Sequence, residues 1–373
     1  MTSVLLAGGG TAGHISPLLA TAQALRRCRP GLTMNCVGTV KGLETSLVPA
    51  AGLDLRLILA VPLPRRLTLD LGKLPWRVRQ AVREAAAIID DVRPDVVVGF
   101  GGYVSLPVYI AARHRVPVVM HEQNALPGLA NRLEARRAAV VLVTVPGTPL
   151  PRARCVGLPV RESLSELADA GRASVRDAAR REFGLPAGGP VLLVSGGSQG
   201  ARTLNEATAG ARRRLLDAGV SVLHVWGRRD FPGDAAKLTA DSGAVYAPVS
   251  YVDDMARAYA AADLMLARAG AATVAETATV GLPCLFVPFP HGNGEQRRNA
   301  APVVSAGGGC EIADADLTAD TLVAAALPLL RDPERLAQLG QTAQSVIQPG
   351  AARRVADIVL AVADANRSKA VDA

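Results

Sequence analysis

"LLAGGGTAGHISP", residues 5–17, decides how this 373-residue chain is read. An apolar run ends in three glycines, and Gly8-x-Gly10-x-x-Gly13 fits the turn between a strand and a helix that binds dinucleotides. Glycines let the backbone approach a phosphate, and the helix N-terminus behind them offers free N–H groups with about half a positive charge. A nicotinamide cofactor needs one thing more: an acidic residue at the end of the second strand, to take the ribose hydroxyls. Here that strand ends "NCVGTVKG" (35–42), with no acid before Glu44. The turn therefore points to another phosphate, and no cofactor is expected. His14 follows the last glycine directly, where a helix N-terminus keeps the imidazole neutral and available as a base. A helix-capping histidine without chemistry would occupy the same position.

Outward from this turn, short β-branched runs alternate with helical patterns, which predicts βαβ units and parallel sheets. Strands are expected over 3–7, 33–38, 54–59, 95–100, 117–122 and 139–144. The Pro/Arg-rich stretch "PGTPLPRARCVGLPVRESL" (146–164) then reads as a linker. The rhythm restarts with "GPVLLVSGGSQGARTLNEA" (189–207), again strand, glycine turn and helix, and further strands are expected over 220–226, 243–249, 263–268 and 283–289. The reading is two doubly wound α/β domains, 1–160 and 161–348. A last helix in 349–373, after Pro349-Gly350, could pack on either domain and is a candidate to return to the first.

Composition agrees with a globular α/β protein: 49% hydrophobic residues, 36 glycines, and only 3% aromatics. Cys28, Cys36, Cys155, Cys284 and Cys310 are odd in number and form no C-x-x-C pair, so they are expected to be reduced core thiols in a cytoplasmic protein. No basic leader precedes the first strand, and no apolar run reaches the ~18–20 residues of a membrane span. The net charge of +8 fits either a solvated arginine-rich surface or an attraction to anionic partners. Dispersed arginines and scarce aromatics argue against nucleic acid.

Other loops after strands carry chemistry. In "SGGSQGA" (195–201), Ser198 can donate to a phosphate oxygen; Arg202 reads as a surface residue. In "ARAGAATVAE" (267–276), Glu276 either accepts from a ribose diol or complements the helix dipole. "VGFGGYVSLP" (98–107) is another glycine-rich turn. In "HEQNALPGLANR" (121–132), His121, Glu122, Gln123 and Asn124 suit recognition of sugar hydroxyls, and a metal site is disfavoured because His121 and Glu122 point opposite ways along a strand. Asp314-x-Asp316 is taken as capping and solvation, so no metal is expected. The segment 61–84 interleaves Leu63, Leu67, Leu69, Leu71, Leu74 and Trp76 with Arg65, Arg66, Lys73, Arg77, Arg79 and Arg83. It reads equally as a dock on anionic lipid or as an amphipathic core helix.

In order along the chain, "GGGTAGH", "GFGGYVSLP", "HEQN", "GLPVR", "GGSQGA", "YVDDMARAYAAADL", "RAGAATVAE", "GLPCLFVPFP" and "GEQRRNA" resemble the MurG family, bacterial transferases that add N-acetylglucosamine to lipid I to give lipid II. The resemblance implies a GT-B fold, two Rossmann-like domains facing across a cleft, with the donor UDP-N-acetylglucosamine bound mainly by the second. It implies a place in peptidoglycan synthesis, and so in cell shape and division, as a peripheral enzyme on the cytoplasmic face of the cell membrane. By the same resemblance Glu276 would bind the uridine ribose and the backbone of Val252 the uracil edge. Ser198 and Arg161 would hold the diphosphate, with Ala271, Ala272 and Thr273 lining the phosphate side, and Val274 and Ala275 would be among the substrate-binding residues. Gln296 and Asn124 would contact the sugar. Thr11, Ala12 and Gly13 would close the site from the first domain, and His14 would be the base for a single inverting displacement. Departures are Ala12 for a frequent glycine, Ala269 for a frequent serine, and Glu295 where many members carry a neutral polar residue. Rival readings are a related transferase with another acceptor, such as diacylglycerol, a non-catalytic polyanion-binding protein, and a nicotinamide oxidoreductase.

Overall fold

A computed structural model of the chain describes residues 2–40, 42–61, 74–291 and 293–371. The chain divides into two units, Met1–Arg161 with Gly350–Ala373, and Glu162–Pro349.

The first unit holds β1 (Ser3–Ala7), α1 (Ala12–Cys28), β2 (Thr33–Gly38), α2 (Glu44–Ala50), β3 (Asp54–Leu57), α3 (Leu74–Val92) and β4 (Val96–Gly99). It continues with α4 (Gly102–Ala112), β5 (Val118–Glu122), α5 (Leu129–Glu134), β6 (Val140–Val143) and β7 (Ala153–Cys155). All seven strands are parallel, in the order β3-β2-β1-β4-β5-β6-β7. A parallel sheet is covered on both faces, which is why its strands read as unbroken apolar runs. Successive β1 side chains go to opposite faces. Val4 and Leu6 meet Leu18 and Leu25 of α1, while Leu5 and Ala7 meet Ala85 and Ile89 of α3 and Val104 and Val108 of α4.

The second unit holds α6 (Glu162–Ala170), α7 (Arg176–Glu182), β8 (Val191–Ser195), α8 (Arg202–Asp217), β9 (Ser221–Val225), β10 (Leu238–Thr239), β11 (Val245–Val249) and α9 (Met255–Ala261). Then follow β12 (Leu264–Ala267), α10 (Ala271–Thr279), β13 (Cys284–Phe286), α11 (Glu295–Ser305), β14 (Gly309–Glu311), α12 (Ala319–Leu330) and α13 (Pro333–Val346). Its order is β10-β11-β9-β8-β12-β13-β14, parallel except for the edge pair β10/β11. In each sheet the strand order reverses beside the first strand, between β1 and β4 and between β8 and β12, and ligands of open α/β sheets bind at such switch points.

The last helix, α14 (Ala351–Val371), belongs to the first unit. Val355, Val359 and Leu360 are buried with Leu18 and Leu25, and Arg29 pairs with Asp364 at 2.7 Å. The expected linker at 146–164 contains β7, whose register against β6 (Val141↔Ala153 to Val143↔Cys155) adds a seventh strand. Its prolines and arginines flank three residues of pairing and do not prevent it. The short strands β10 and β14 lack a long enough apolar run to stand out in the sequence.

Among the described residues no cysteine is in a disulfide. Cys36 and Cys284 are buried, but Cys310 is exposed on β14 and is not a core thiol. No described helix is long and apolar enough to cross a membrane. Residues 62–73, which include Leu63, Arg65, Arg66, Leu67, Leu69, Leu71 and Lys73, lie outside the described residues. The described end of that segment forms α3, which buries Ala81, Ala85 and Ile89 and leaves Trp76 67% exposed.

Candidate functional site

In the first unit the quoted turn runs from β1 into α1. Thr11 is the N-cap in extended conformation, and its carbonyl accepts from the His14 and Ile15 N–H groups at 3.1 and 3.2 Å. Its hydroxyl makes no cap bond and meets His14 Nδ1 at 2.9 Å. The first helical turn carries no acidic side chain, so the N–H groups of Ala12 and Gly13 face a position suited to an anion. Ala12 lies in the helix, where a glycine is not required. His14 is half-buried. Burial holds its pKa below the usual 6.5, against the raising effects of a Gly9 backbone bond and the Glu44 charge. The imidazole is therefore neutral at neutral pH, as a proton acceptor must be.

The turn after β4 comes close: a Cβ on Gly102 would lie 2.7 Å from the Gly9 carbonyl and 3.3 Å from His14 Nδ1. Ser105 supports it by donating to the carbonyls of Ala7 and Gly101 at 2.9 and 2.7 Å.

The "HEQN" run corrects an expectation. His121 and Glu122 are buried and bonded within the fold, so they are scaffold; Gln123 is buried as well, with Nε2 donating to the His121 carbonyl at 2.9 Å and Oε1 without a partner among the described residues. His121 Nε2 meets the Gly157 carbonyl at 2.9 Å, and burial lowers its pKa to about 4. Glu122 accepts from the N–H groups of Asn124 and Gly128 and from Asn131 Nδ2, at 2.9, 3.0 and 2.9 Å. Burial raises its pKa and these donors lower it. β5 continues through Glu122, so His121 and Glu122 point to opposite faces of a sheet that is covered on both sides, and both are buried before the loop begins. Asn124, half-buried beyond the strand end, remains placed for recognition. Arg161, also half-buried, closes the first unit.

In the second unit the turn after β8 carries half-buried Ser198. It folds tightly, with Gly200 N–H donating to the Gly197 carbonyl at 3.0 Å, and a Cβ on Gly227 would lie 2.1 Å from the Gly200 nitrogen. Arg202 is exposed. After the neighbouring strand β12, Gly270 caps α10 with no side-chain bond and no acid in the first turn. The N–H groups of Ala271, Ala272 and Thr273 thus stand at an open helix N-terminus beside the Ser198 turn. Val274 and Ala275 follow in the same helix and are largely buried, and the Val274 N–H is bonded to the Gly270 carbonyl at 3.0 Å.

Glu276 is the sixth residue of α10, past the first turn, so the helix-dipole explanation fails. It is buried, and the Tyr259 hydroxyl donates to its Oε2 at 2.8 Å, fixing the carboxylate. Val252 is buried just ahead of α9, whose N-cap Asp254 accepts from Ala256 N–H at 3.1 Å. Gln296 accepts the Phe289 N–H at 2.9 Å through Oε1, which leaves its amide group as the donor. Glu295 begins α11 and Ala269 is fully buried. Asp314 is not a solvated cap: it is ion-paired with the largely buried Arg268. No three His, Cys, Asp or Glu side chains cluster as metal ligands among the described residues. Tyr259, which bonds the predicted site residue Glu276, and Glu44, which bonds Gly10 of the first glycine turn, acquire a place at the site only through these contacts.

Two parallel-sheet units, each with a glycine turn and an open helix N-terminus at its switch point, define a two-domain glycosyltransferase of the GT-B class. The Glycosyltransferase family 28 N-terminal domain matches residues 4–143, and the Glycosyltransferase family 28 C-terminal domain residues 191–355. A relative from a Nocardioides species is 55% identical over 96% of this chain and 97% of its own, and one from Cutibacterium acnes 52% identical over 97% and 98%. Each is a UDP-N-acetylglucosamine–N-acetylmuramyl-(pentapeptide) pyrophosphoryl-undecaprenol N-acetylglucosamine transferase. The crystal structure of Acinetobacter baumannii MurG superposes with a TM-score of 0.74 at 27% identity, covering 96% of this chain and 99% of that one. The calicheamicin glycosyltransferase CalG4, at 19% identity and TM-score 0.66, shares the fold. The chain belongs to the MurG family of UDP-N-acetylglucosamine-dependent transferases.

Proposed function

We propose that the chain transfers N-acetylglucosamine from UDP-N-acetylglucosamine to the C4 hydroxyl of the muramyl sugar of lipid I, with inversion, and that it needs no metal. The observation that carries the activity is the full-length relatedness to transferases of that name; the helix termini and His14 support the roles that follow. The second unit takes the donor. Glu276 accepts from the ribose diol, the Val252 backbone reads uracil, and Gln296 and Asn124 address the sugar. The α10 N-terminus, Ser198 and Arg161 meet the diphosphate, where fixed N–H dipoles and one guanidinium balance the charge that develops as UDP leaves. Thr11, Ala12 and Gly13 serve the acceptor side.

In the transfer step a lone pair of the acceptor oxygen forms the bond to the anomeric carbon. The bond to UDP breaks and its electron pair leaves with the diphosphate. The hydroxyl proton passes to His14. With a hydrogen on Nδ1, facing Thr11, Nε2 holds the accepting lone pair.

The acceptor's polyprenyl chain lies in a bilayer, and the basic and apolar residues of 61–84 together with exposed Trp76 support peripheral docking on the anionic cytoplasmic surface. The first experiment is transfer of radiolabelled N-acetylglucosamine to a lipid I analogue, with and without EDTA. Transfer that survives EDTA is expected. UDP binding without transfer would move the acceptor elsewhere, and absent UDP binding would overturn the reading. For the membrane part, replacing Arg65, Arg66 and Lys73 by Glu is expected to abolish binding to anionic vesicles, and unchanged binding would refute it.

A further inference from the structure

Beneath the first glycine turn lies a carboxylate that the transfer scheme leaves unused. Glu44 is fully buried at the start of α2. Its Oε1 accepts from the Thr39 N–H and the Thr39 hydroxyl, both at 2.9 Å, and its Oε2 accepts from the Gly10 N–H at 3.1 Å. All three partners are donors, as an ionised acid requires when it is removed from water. The local sequence leaves room for this one group. A Cβ on Gly9 would come 2.7 Å from Oε1, on Gly42 1.9 Å from Oε2, and on Gly38 2.4 Å from the Glu44 Cγ. Three glycines from two loops and the end of β2 are thus shaped around one buried side chain. The Glu44 charge also reaches His14.

We propose that Glu44 is a positioning residue for the transfer: its carboxylate ties the Gly8–Gly10 turn to the end of β2 and sets a fixed negative charge near the His14 imidazole. The proposal rests on the reading of His14 as the base. As that ring takes the acceptor's proton it becomes cationic, and a preorganised anion nearby favours this charged state without a move of its own. Another titratable group on that side is the Tyr103 phenol of α4, 3.5 Å from the Thr39 hydroxyl.

The test pairs Glu44→Gln with Glu44→Asp, in the full chain. Glutamine removes the charge and sets an amide donor against either the Gly10 N–H or Thr39; aspartate keeps the charge with one bond less reach. In Glu44→Gln, the His14 titration followed by NMR should move to lower pH, and kcat should fall about tenfold or more with the KM for UDP-N-acetylglucosamine unchanged. Glu44→Asp should restore the titration toward wild type and recover part of the rate. An unmoved His14 titration in Glu44→Gln overturns the proposal whatever the rate. So does a rate loss accompanied only by a lower melting temperature and a raised KM. A fully active His14→Ala enzyme would instead overturn the base assignment, an outcome read separately from the titration.

Discussion

At the scale of single residues, the proposed mechanism places its heaviest demand on His14. General-base assistance contributes ~10²–10⁴-fold, so His14→Ala should lower kcat by that range and leave UDP affinity intact. The pH dependence follows from the sign of the shift. Burial depresses the His14 pKa below 6.5, so the ring loses its proton below that pH on acid-to-neutral titration. The rate should rise with pH, level off below 6.5, and stay flat through neutrality. An acid limb centred at or above 6.5 would remove His14 as the titrating base. Glu276 makes a second demand. A carboxylate held by Tyr259 suits two ribose hydroxyl donors, whereas a carboxamide offers one acceptor. Glu276→Gln should weaken UDP by about 1.5–3 kcal/mol, roughly ten- to a hundredfold in Kd. It should also abolish the preference for UDP over 2′-deoxy-UDP in calorimetry. Equal affinities before and after the change would place the ribose elsewhere.

Elements show why some of this could be read in the sequence and some could not. Strand-turn-helix units are local, so both glycine turns, the starts of α1, α8 and α10, and nearly every long strand follow from apolar runs bounded by glycine. What depends on distant partners does not. The "HEQN" side chains look like ligand contacts until Gly157, Gly128 and Asn131 arrive from elsewhere to bond them, and Glu44 acquires meaning only when the β1 turn folds over it. His224 belongs to the same class. It lies buried on β9, stacked on Trp226 with ring centroids 4.4 Å apart. Asn205 Nδ2 donates to the Trp226 carbonyl, so its Oδ1 accepts from His224 Nε2 at 3.1 Å. His224 Nδ1 then accepts from the Tyr246 hydroxyl at 2.9 Å. This network joins α8 to β9, and two residues beyond that strand lies Gly227, against which the Ser198 turn closes.

Burial lowers the His224 pKa to about 3, below the 6.5 of an exposed ring. The unfolded chain thus binds a proton there that the folded chain does not. Stability is full above pH 6.5 and falls as pH drops toward 3, by at most ~1.4 kcal/mol per pH unit. His224→Gln, followed by urea unfolding on Trp226 fluorescence, should reduce the slope of stability against pH between 6 and 4 by about one proton. The remaining slope should include His121, whose pKa of about 4 has the same sign. Identical slopes would mean that His224 is protonated in the folded protein.

At the scale of the whole molecule, the chain leaves its first unit at Arg161, builds the second, and returns at Gly350. The helix that returns is part of the first core. Val355 and Val359 are fully buried and Leu360 nearly so, packed with Leu18 and Leu25, while Arg354 donates to the Val156 carbonyl at 2.8 Å and Asn366 to the Asp95 carbonyl at 3.1 Å. Burying each large aliphatic side chain stabilises by about 1.5–3 kcal/mol, so these three alone contribute roughly 5–9 kcal/mol. That is comparable with the whole stability of a typical domain, ~5–15 kcal/mol. The second unit ends at Pro349 and keeps its own core of Leu192, Val194, Leu204, Leu215 and Leu322 without α14. Removing residues 350–373 should therefore unfold the first unit selectively. In hydrogen exchange, β1, β4 and β5 should lose protection while β8, β9 and β12 keep theirs. UDP should still bind, more weakly by the contribution of Arg161, and transfer should vanish because His14 is lost with its helix. Val359→Asp, which leaves the length unchanged and buries an unpaired charge, should reproduce the pattern. Uniform loss of protection across both sheets would show that the second core depends on the first, and undiminished protection of β1 would show that α14 adds nothing to the core it covers.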